Sequence, residues 1–198
     1  YTDDVLRIYA VDVNSDSISS LLEPTRSRLK FISPIREYEG AVYASMNRRD
    51  STLFDLYKIF LDGRTPELIY KNPGNITSWI PSPDGVVRLA LTSDSVQESI
   101  LYRADGSSAL KEVAVNDFKT SIYPFGYLGG SNQHIAALSN QNRDKFAMVE
   151  YDVSTGREIR EIFADPDVDV NFEGYSHYLN KPLFGTTSAC RKHYTFFD

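Results

Sequence analysis

FDLYKIFLDGRTPELIY, from Phe54 to Tyr70, is an apolar-rich run broken at Asp62-Gly63 and followed by a second such run. The phrase recurs as SILYRADGSSALKEVAV (Ser99 to Val115) and FAMVEYDVSTGREIREIF (Phe146 to Phe163), with the turn opened by Asp105 and then by Asp152. Two alternating runs joined by an Asp-led turn are the signal of a β-hairpin. From Asp62 to Asp105 is 43 residues, and from Asp105 to Asp152 is 47. Hairpins recurring at a period of about 40–50 residues read as the outer halves of four-stranded propeller blades. The fold class expected is all-β, a β-propeller of about four antiparallel blades, partial or open.

The inner halves of the blades follow the same period. KFISPI (Lys30 to Ile35), TSWIPSP (Thr77 to Pro83), SIYPFGY (Ser121 to Tyr127) and VNFEGYS (Val170 to Ser176) read as first strands. Ala41 to Met46, Val86 to Thr92, His134 to Ser139 and Pro182 to Thr187 read as second strands. Polar turns follow three of these, at Arg48 to Asp50, Ser93 to Glu98 and Gln141 to Lys145. Residues 1–198 are therefore expected to form a propeller domain or a portion of one. Three blades are complete over about 30–163, and partial ones lie at 5–22 and 170–198. Unpaired strand edges invite pairing, so the two ends are expected to meet in one molecule, to pair across a homodimer, or to join blades elsewhere in a longer parent. The chain opens on Tyr1, which fits a removed leader or a piece of a longer protein.

Composition narrows the function classes. The 27 acidic and 21 basic side chains give a net charge of −6. No long basic stripe of the kind that tracks phosphates stands out, so nucleic acid is not an expected partner. No apolar run approaches the roughly 18–20 residues of a helical membrane span. The single Cys190 has no internal disulfide partner and leaves the compartment open between a bacterial periplasmic or secreted setting and a cytoplasmic one. Thirteen Tyr and eleven Phe suit strands packed between sheets more than a binding site.

The segments DLYKIFLDGRTPELIYKNPGNITSWIPSPDGVVRLAL (Asp55 to Leu91) and EYDVSTGREIREIFADPDVDV (Glu150 to Val170) resemble the propeller of the prolyl oligopeptidase family of serine peptidases, in its dipeptidyl and acylaminoacyl peptidase branch. Arg49, Asp50, Asp55, Leu56, Tyr57, Asp62 and Gly63 carry the most telling part. The resemblance covers nearly the whole chain, and periplasmic TolB-type propellers share the same blade grammar. It implies a propeller that sits before an α/β-hydrolase domain of the same parent, docks on it and restricts entry to peptide substrates. The family's Gly-x-Ser-x-Gly elbow does not occur around Ser107 or Ser131, nor is there an adjacent Glu-Glu pair. The chain alone is therefore not expected to be an enzyme. The alternative is a stand-alone TolB-like propeller acting as a protein-interaction platform.

Several constellations have structural readings that compete with chemical ones. Asp12, Asn14, Asp16 and Glu23 have the spacing of a calcium loop, but Ser17 stands where the sharp turn needs glycine, so a hairpin turn is favoured. Asp165, Asp167 and Asp169 alternate, yet they fall where one blade connects to the next. Cys190, His193 and His177 do not supply the four ligands of a zinc site. His134 opens a strand, and Asn75-Ile76-Thr77 is a glycosylation sequon meaningful only in a eukaryotic secretory setting. No cofactor or metal is called for. The sharper binding candidates are Arg48, Arg49 and Arg143, placed on second-to-third-strand turns where cations meet acidic side chains of a catalytic domain or a peptide carboxylate. Their competing reading is a solvated turn with Asp50 and Asp144 as local partners.

Overall fold

The computed structural model describes residues 5–23, 25–32, 38 and 40–197. Among them are seventeen β-strands and no helix. β1 (Tyr9–Val11) and β2 (Ile18–Ser20) form a two-stranded hairpin. β3 (Leu29–Phe31), β4 (Ala41–Asp50), β5 (Leu53–Phe60) and β6 (Glu67–Tyr70) form a four-stranded sheet in chain order. The next consists of β7 (Ile76–Pro81), β8 (Val87–Ser93), β9 (Glu98–Tyr102) and β10 (Lys111–Asn116). A third has β11 (Ile122–Tyr127), β12 (His134–Ser139), β13 (Ala147–Asp152) and β14 (Arg157–Phe163). β15 (Val170–Ser176), β16 (Lys181–Ser188) and β17 (Lys192–Phe196) form a three-stranded sheet. All pairings are antiparallel meanders, which is the blade architecture of a β-propeller.

The chain divides into two compact units, residues 1–76 and 77–198. In the first, the N-terminal hairpin packs on one face of the β3–β6 sheet. Ile8, Leu21 and Leu22 meet Val42, Ala44, Met46, Tyr57 and Ile59 in one buried cluster. Residues 42, 44 and 46 share a face because strand side chains alternate.

In the second unit, the β7–β10 and β11–β14 sheets share a core in which Leu89, Ile100 and Tyr102 face Ile122, Ile135, Val149 and Tyr151. The opposite face of the β11–β14 sheet meets the β15–β17 sheet. Phe125 stacks on Phe172 with ring centroids 3.7 Å apart, and Phe163 meets Phe197 edge-on at 5.8 Å. β12 and β13 are thus covered on both sides. This is why HIAALS and FAMVEY read as near-continuous apolar runs rather than strict alternation: Ile135, Ala136, Met148 and Val149 are all fully buried. Gly126 makes room for the Tyr175 ring, which a Cβ there would meet at 2.7 Å, and Tyr175 OH donates to the Tyr127 carbonyl.

The hairpin turns are built by their aspartates. Asp62 Oδ1 accepts from Arg64 N–H, Asp105 Oδ1 from the N–H groups of Ser107 and Ser108, and Asp152 Oδ1 from Ser154 N–H. Each carboxylate closes an Asx turn that stands in for a backbone bond. The blade-to-blade connections use asparagines instead. Asn72 holds Ile76 through both its backbone N–H and its carbonyl, and Asn116 holds Ile122 in the same way.

Two sequence expectations change. In the outer hairpins read at Phe54 to Tyr70, Ser99 to Val115 and Phe146 to Phe163, the third strand is expected to reach the turn-opening aspartate and so to include Leu61, Arg103 and Tyr151; Leu61 and Arg103 instead lie one residue beyond the ends of β5 and β9, while Tyr151 is within β13. The polar turn expected at Arg48 to Asp50 is strand: β4 runs to Asp50, which pairs with Leu53 past a register shift. The reversal is the tight Ser51-Thr52 turn, stabilised by Asp50 Oδ1 accepting from both the Thr52 N–H and hydroxyl. Of the first-strand segment read at Lys30 to Ile35, β3 covers Leu29–Phe31, and residues 33–35 lie outside the described residues.

Candidate binding site

Arg49 stands at the tip of the β4–β5 hairpin and is committed to the fold. Its guanidinium donates to both oxygens of Asp55 at 2.9 and 2.8 Å and to the Asn72 carbonyl at 3.1 Å. Asp55 is fully buried and accepts in addition from the Asn72 N–H. Burial pushes the Asp55 carboxyl up, but the Arg49 hydrogen bonds, the Asn72 N–H and the charges of Arg49 and Lys71 outweigh it, leaving it below its ordinary value. The pair therefore anchors the hairpin to the connection into the next blade, and Asn72 carries that anchor on to Ile76.

Arg143, in the β12–β13 turn, has the corresponding role in the second unit. It reaches Glu158 Oε2 at 2.7 Å and the Ser139 carbonyl at 3.3 Å, while Ser139 Oγ donates to Glu158 Oε1. Both arginines hold a carboxylate from elsewhere in their own sheet, not the adjacent Asp50 and Asp144 that the turn reading supplies. Asp50 is occupied by Thr52, and Asp144 pairs with Lys145 at 3.0 Å. A bidentate fork needs a carboxylate approaching in its own plane. A cross-strand neighbour meets that requirement here, and the adjacent carboxylates are engaged with other groups.

Arg48 differs. It is exposed, has no ion pair among the described residues, and lines a cleft of about 340 Å³ in the first unit with Leu21, Leu22, Glu23, Gly63 and Pro66. Leu21 and Leu22 come from the segment after β2, and Gly63 and Pro66 from the β5–β6 turn, so the cleft exists only because the hairpin folds onto the sheet. Its apolar floor, one cation and one carboxylate can seat a short polar chain end.

The remaining candidates have turn or packing roles. Asp12 Oδ1 accepts from the Asn14 and Ser15 N–H groups. Asp165 Oδ1 accepts from Asp167 and Val168, whereas Asp169 Oδ1 accepts from Phe146, so the alternating carboxylates serve different partners. Ser131 Oγ accepts the N–H groups of Gln133 and His134. The His134 ring turns to Glu150 at 2.8 Å, and Glu150 also holds Arg160 at 2.7 Å. His177 packs edge-on against Tyr175, and Cys190 is exposed.

Sequence reading passed over a partly buried polar cluster in the second unit. Arg88 donates to Asp84 at 2.6 Å and to Ser82, and Asn132 donates to the other Asp84 oxygen at 3.2 Å across the two facing sheets. The Ser-Pro-Asp-Gly turn at residues 82–85 followed by Arg88 was its available signal.

No protein-family model matches the chain. Dipeptidyl aminopeptidase BIII of Pseudoxanthomonas mexicana is 24% identical over 160 residues, 78% of this chain and 23% of that protein. The chain is similar to the propeller region of prolyl oligopeptidase-family peptidases. It spans under a quarter of the length of the curated relative it matches. Among solved structures, a puromycin hydrolase shares the fold at a TM-score of 0.59 and 13% identity, over 91% of this chain and 31% of that one. An oligogalacturonate lyase from Vibrio parahaemolyticus follows at 0.53 and 8% identity, over 93% and 57%. A hydrolase and a lyase on one architecture illustrate that blades alone do not specify chemistry.

Proposed function

We propose that this chain is the non-catalytic propeller region of a prolyl oligopeptidase-like serine peptidase, docking on the α/β-hydrolase domain of its parent and gating the entry of peptide substrates. The observation that carries the reading is the similarity to a dipeptidyl aminopeptidase across most of a chain built of propeller blades. The side chains singled out in the sequence have structural partners: the Ser107 and Ser131 hydroxyls serve turns, and the His134 ring pairs with Glu150. Work of this kind is steric. Of the three arginines assigned to binding, Arg48 is the one available to meet a carboxylate of the hydrolase domain or of a peptide, while Arg49 and Arg143 hold the strand ends in place. The open edge of β17, whose residues are all exposed, is the surface through which a homodimer would form.

The test uses the gene that encodes this region. Expressed with the reading frame that follows it, the protein hydrolyses dipeptidyl reporters; with residues 1–198 deleted, it gains activity on long peptides relative to short ones. The isolated chain is not labelled by a fluorophosphonate probe. Labelling would defeat the non-catalytic reading. A reading frame without a hydrolase region would leave the interaction-platform alternative in its place.

A further inference from the structure

The first unit carries a row of cations that the peptidase reading leaves unused. Arg26, Arg28 and Lys30 occupy every second position leading into and through β3, and all three are exposed. Arg28 and Lys30 project on one side of the strand because side chains two apart share a face. They line an open cleft of about 850 Å³ whose floor includes Leu6, Leu29 and Phe54. Lys30 Nζ sits 4.6 Å from the centre of the Phe54 ring. Neither Arg26 nor Arg28 has an ion pair among the described residues, in a chain whose net charge is −6.

β3 is also the edge strand of its sheet. Asn47 N–H donates to the Arg28 carbonyl and Ile32 N–H to the Tyr43 carbonyl. In an antiparallel ladder, residues 28, 30 and 32 therefore spend their backbone groups on β4, and those of Leu29 and Phe31 point toward the other edge, along which no described strand pairs beyond the Leu6–Thr25 bridge. The geometry points to a docking site for an extended acidic peptide, added along β3 with its carboxylates at alternate positions facing Arg28 and Lys30. Main-chain bonds to Leu29 and Phe31 supply register, and the alternating cations supply specificity. A polyanionic sugar matches the charge but not the row of edge donors and acceptors.

A fluorescein-labelled peptide of alternating valine and glutamate, titrated with the 198-residue chain and read by anisotropy, tests this. Saturable binding is expected, weakened several-fold between about 50 and 300 mM salt. The double variant Arg28→Glu/Lys30→Glu weakens it by about tenfold or more, whereas Arg191→Glu, at an exposed position elsewhere, does not. The same peptide N-methylated at every second residue keeps its charge but loses one edge of donors, and binds correspondingly less. No saturable binding, indifference to the charge reversal, equal binding of the N-methylated peptide, or equal competition by oligogalacturonate would each overturn the proposal. None of these outcomes bears on whether the parent is a peptidase.

Discussion

At the scale of single residues, this protein relies on carboxylates that look like site residues and act as joints. Asp55 is the clearest, being fully buried and held by the Arg49 guanidinium and the Asn72 N–H. Replacing it by alanine leaves that cation and that donor unpaired, and Asp55→Ala is expected to cost about 2–4 kcal/mol in denaturant unfolding. Asp105 gives the corresponding pH signature. Hydrogen bonds from the Ser107 hydroxyl and the N–H groups of Ser107 and Ser108 lower its carboxyl from 3.8 to about 2. A carboxyl whose folded value is depressed contributes stability that is complete above the unfolded value and lost as pH falls through the folded one. The stability difference between wild type and Asp105→Ala should thus be constant above about pH 5 and shrink as the pH falls through 3.8 to about 2, which melting curves across that range will show. A difference that instead grew on acidification would mean the turn does not hold the ionised form.

At the scale of elements, the sheets are spaced by what their turns allow. Gly156 closes the β13–β14 hairpin at φ +71°, and a Cβ there would lie 2.6 Å from the Val113 carbonyl oxygen of β10. Backbone cannot swing aside as a side-chain tip does. Gly156→Ala is therefore expected to destabilise the protein by about 1–3 kcal/mol, from backbone strain and loss of the β10 contact. Gly126→Ala acts differently: the methyl group meets the tip of the Tyr175 ring, which must swing aside and give up its hydrogen bond to the Tyr127 carbonyl, loosening the β15–β17 sheet against the β11–β14 sheet. Faster amide exchange across β15 and β16 than across β12 and β13 is the expected readout.

At the scale of the molecule, the N-terminal hairpin is a structural part of the first unit. Ile8, Leu21 and Leu22 complete the cluster around Met46 and Tyr57. Deleting residues 1–22 should lower the melting temperature or abolish solubility, and unchanged melting would show those strands to be dispensable. What the amino-acid order determined by itself was the local grammar: alternation, Asp-led turns and a blade-length period. Those depend on neighbours within a few residues, and strands such as His134 to Ser139 and Val170 to Ser176 fall where they were read. The tertiary structure alone decided the partners. Arg49 was legible as a cation near a turn, but its choice of Asp55 over Asp50 follows from cross-strand geometry and from Thr52 already occupying Asp50. Arg48 was legible in the same stretch, yet its cleft required the N-terminal hairpin to fold onto the sheet. The cations of Arg28 and Lys30 acquired meaning only when β3 proved to be an edge strand. Pairing between residues distant in sequence depends on register and packing, and neither is written in the spacing of residues along the chain.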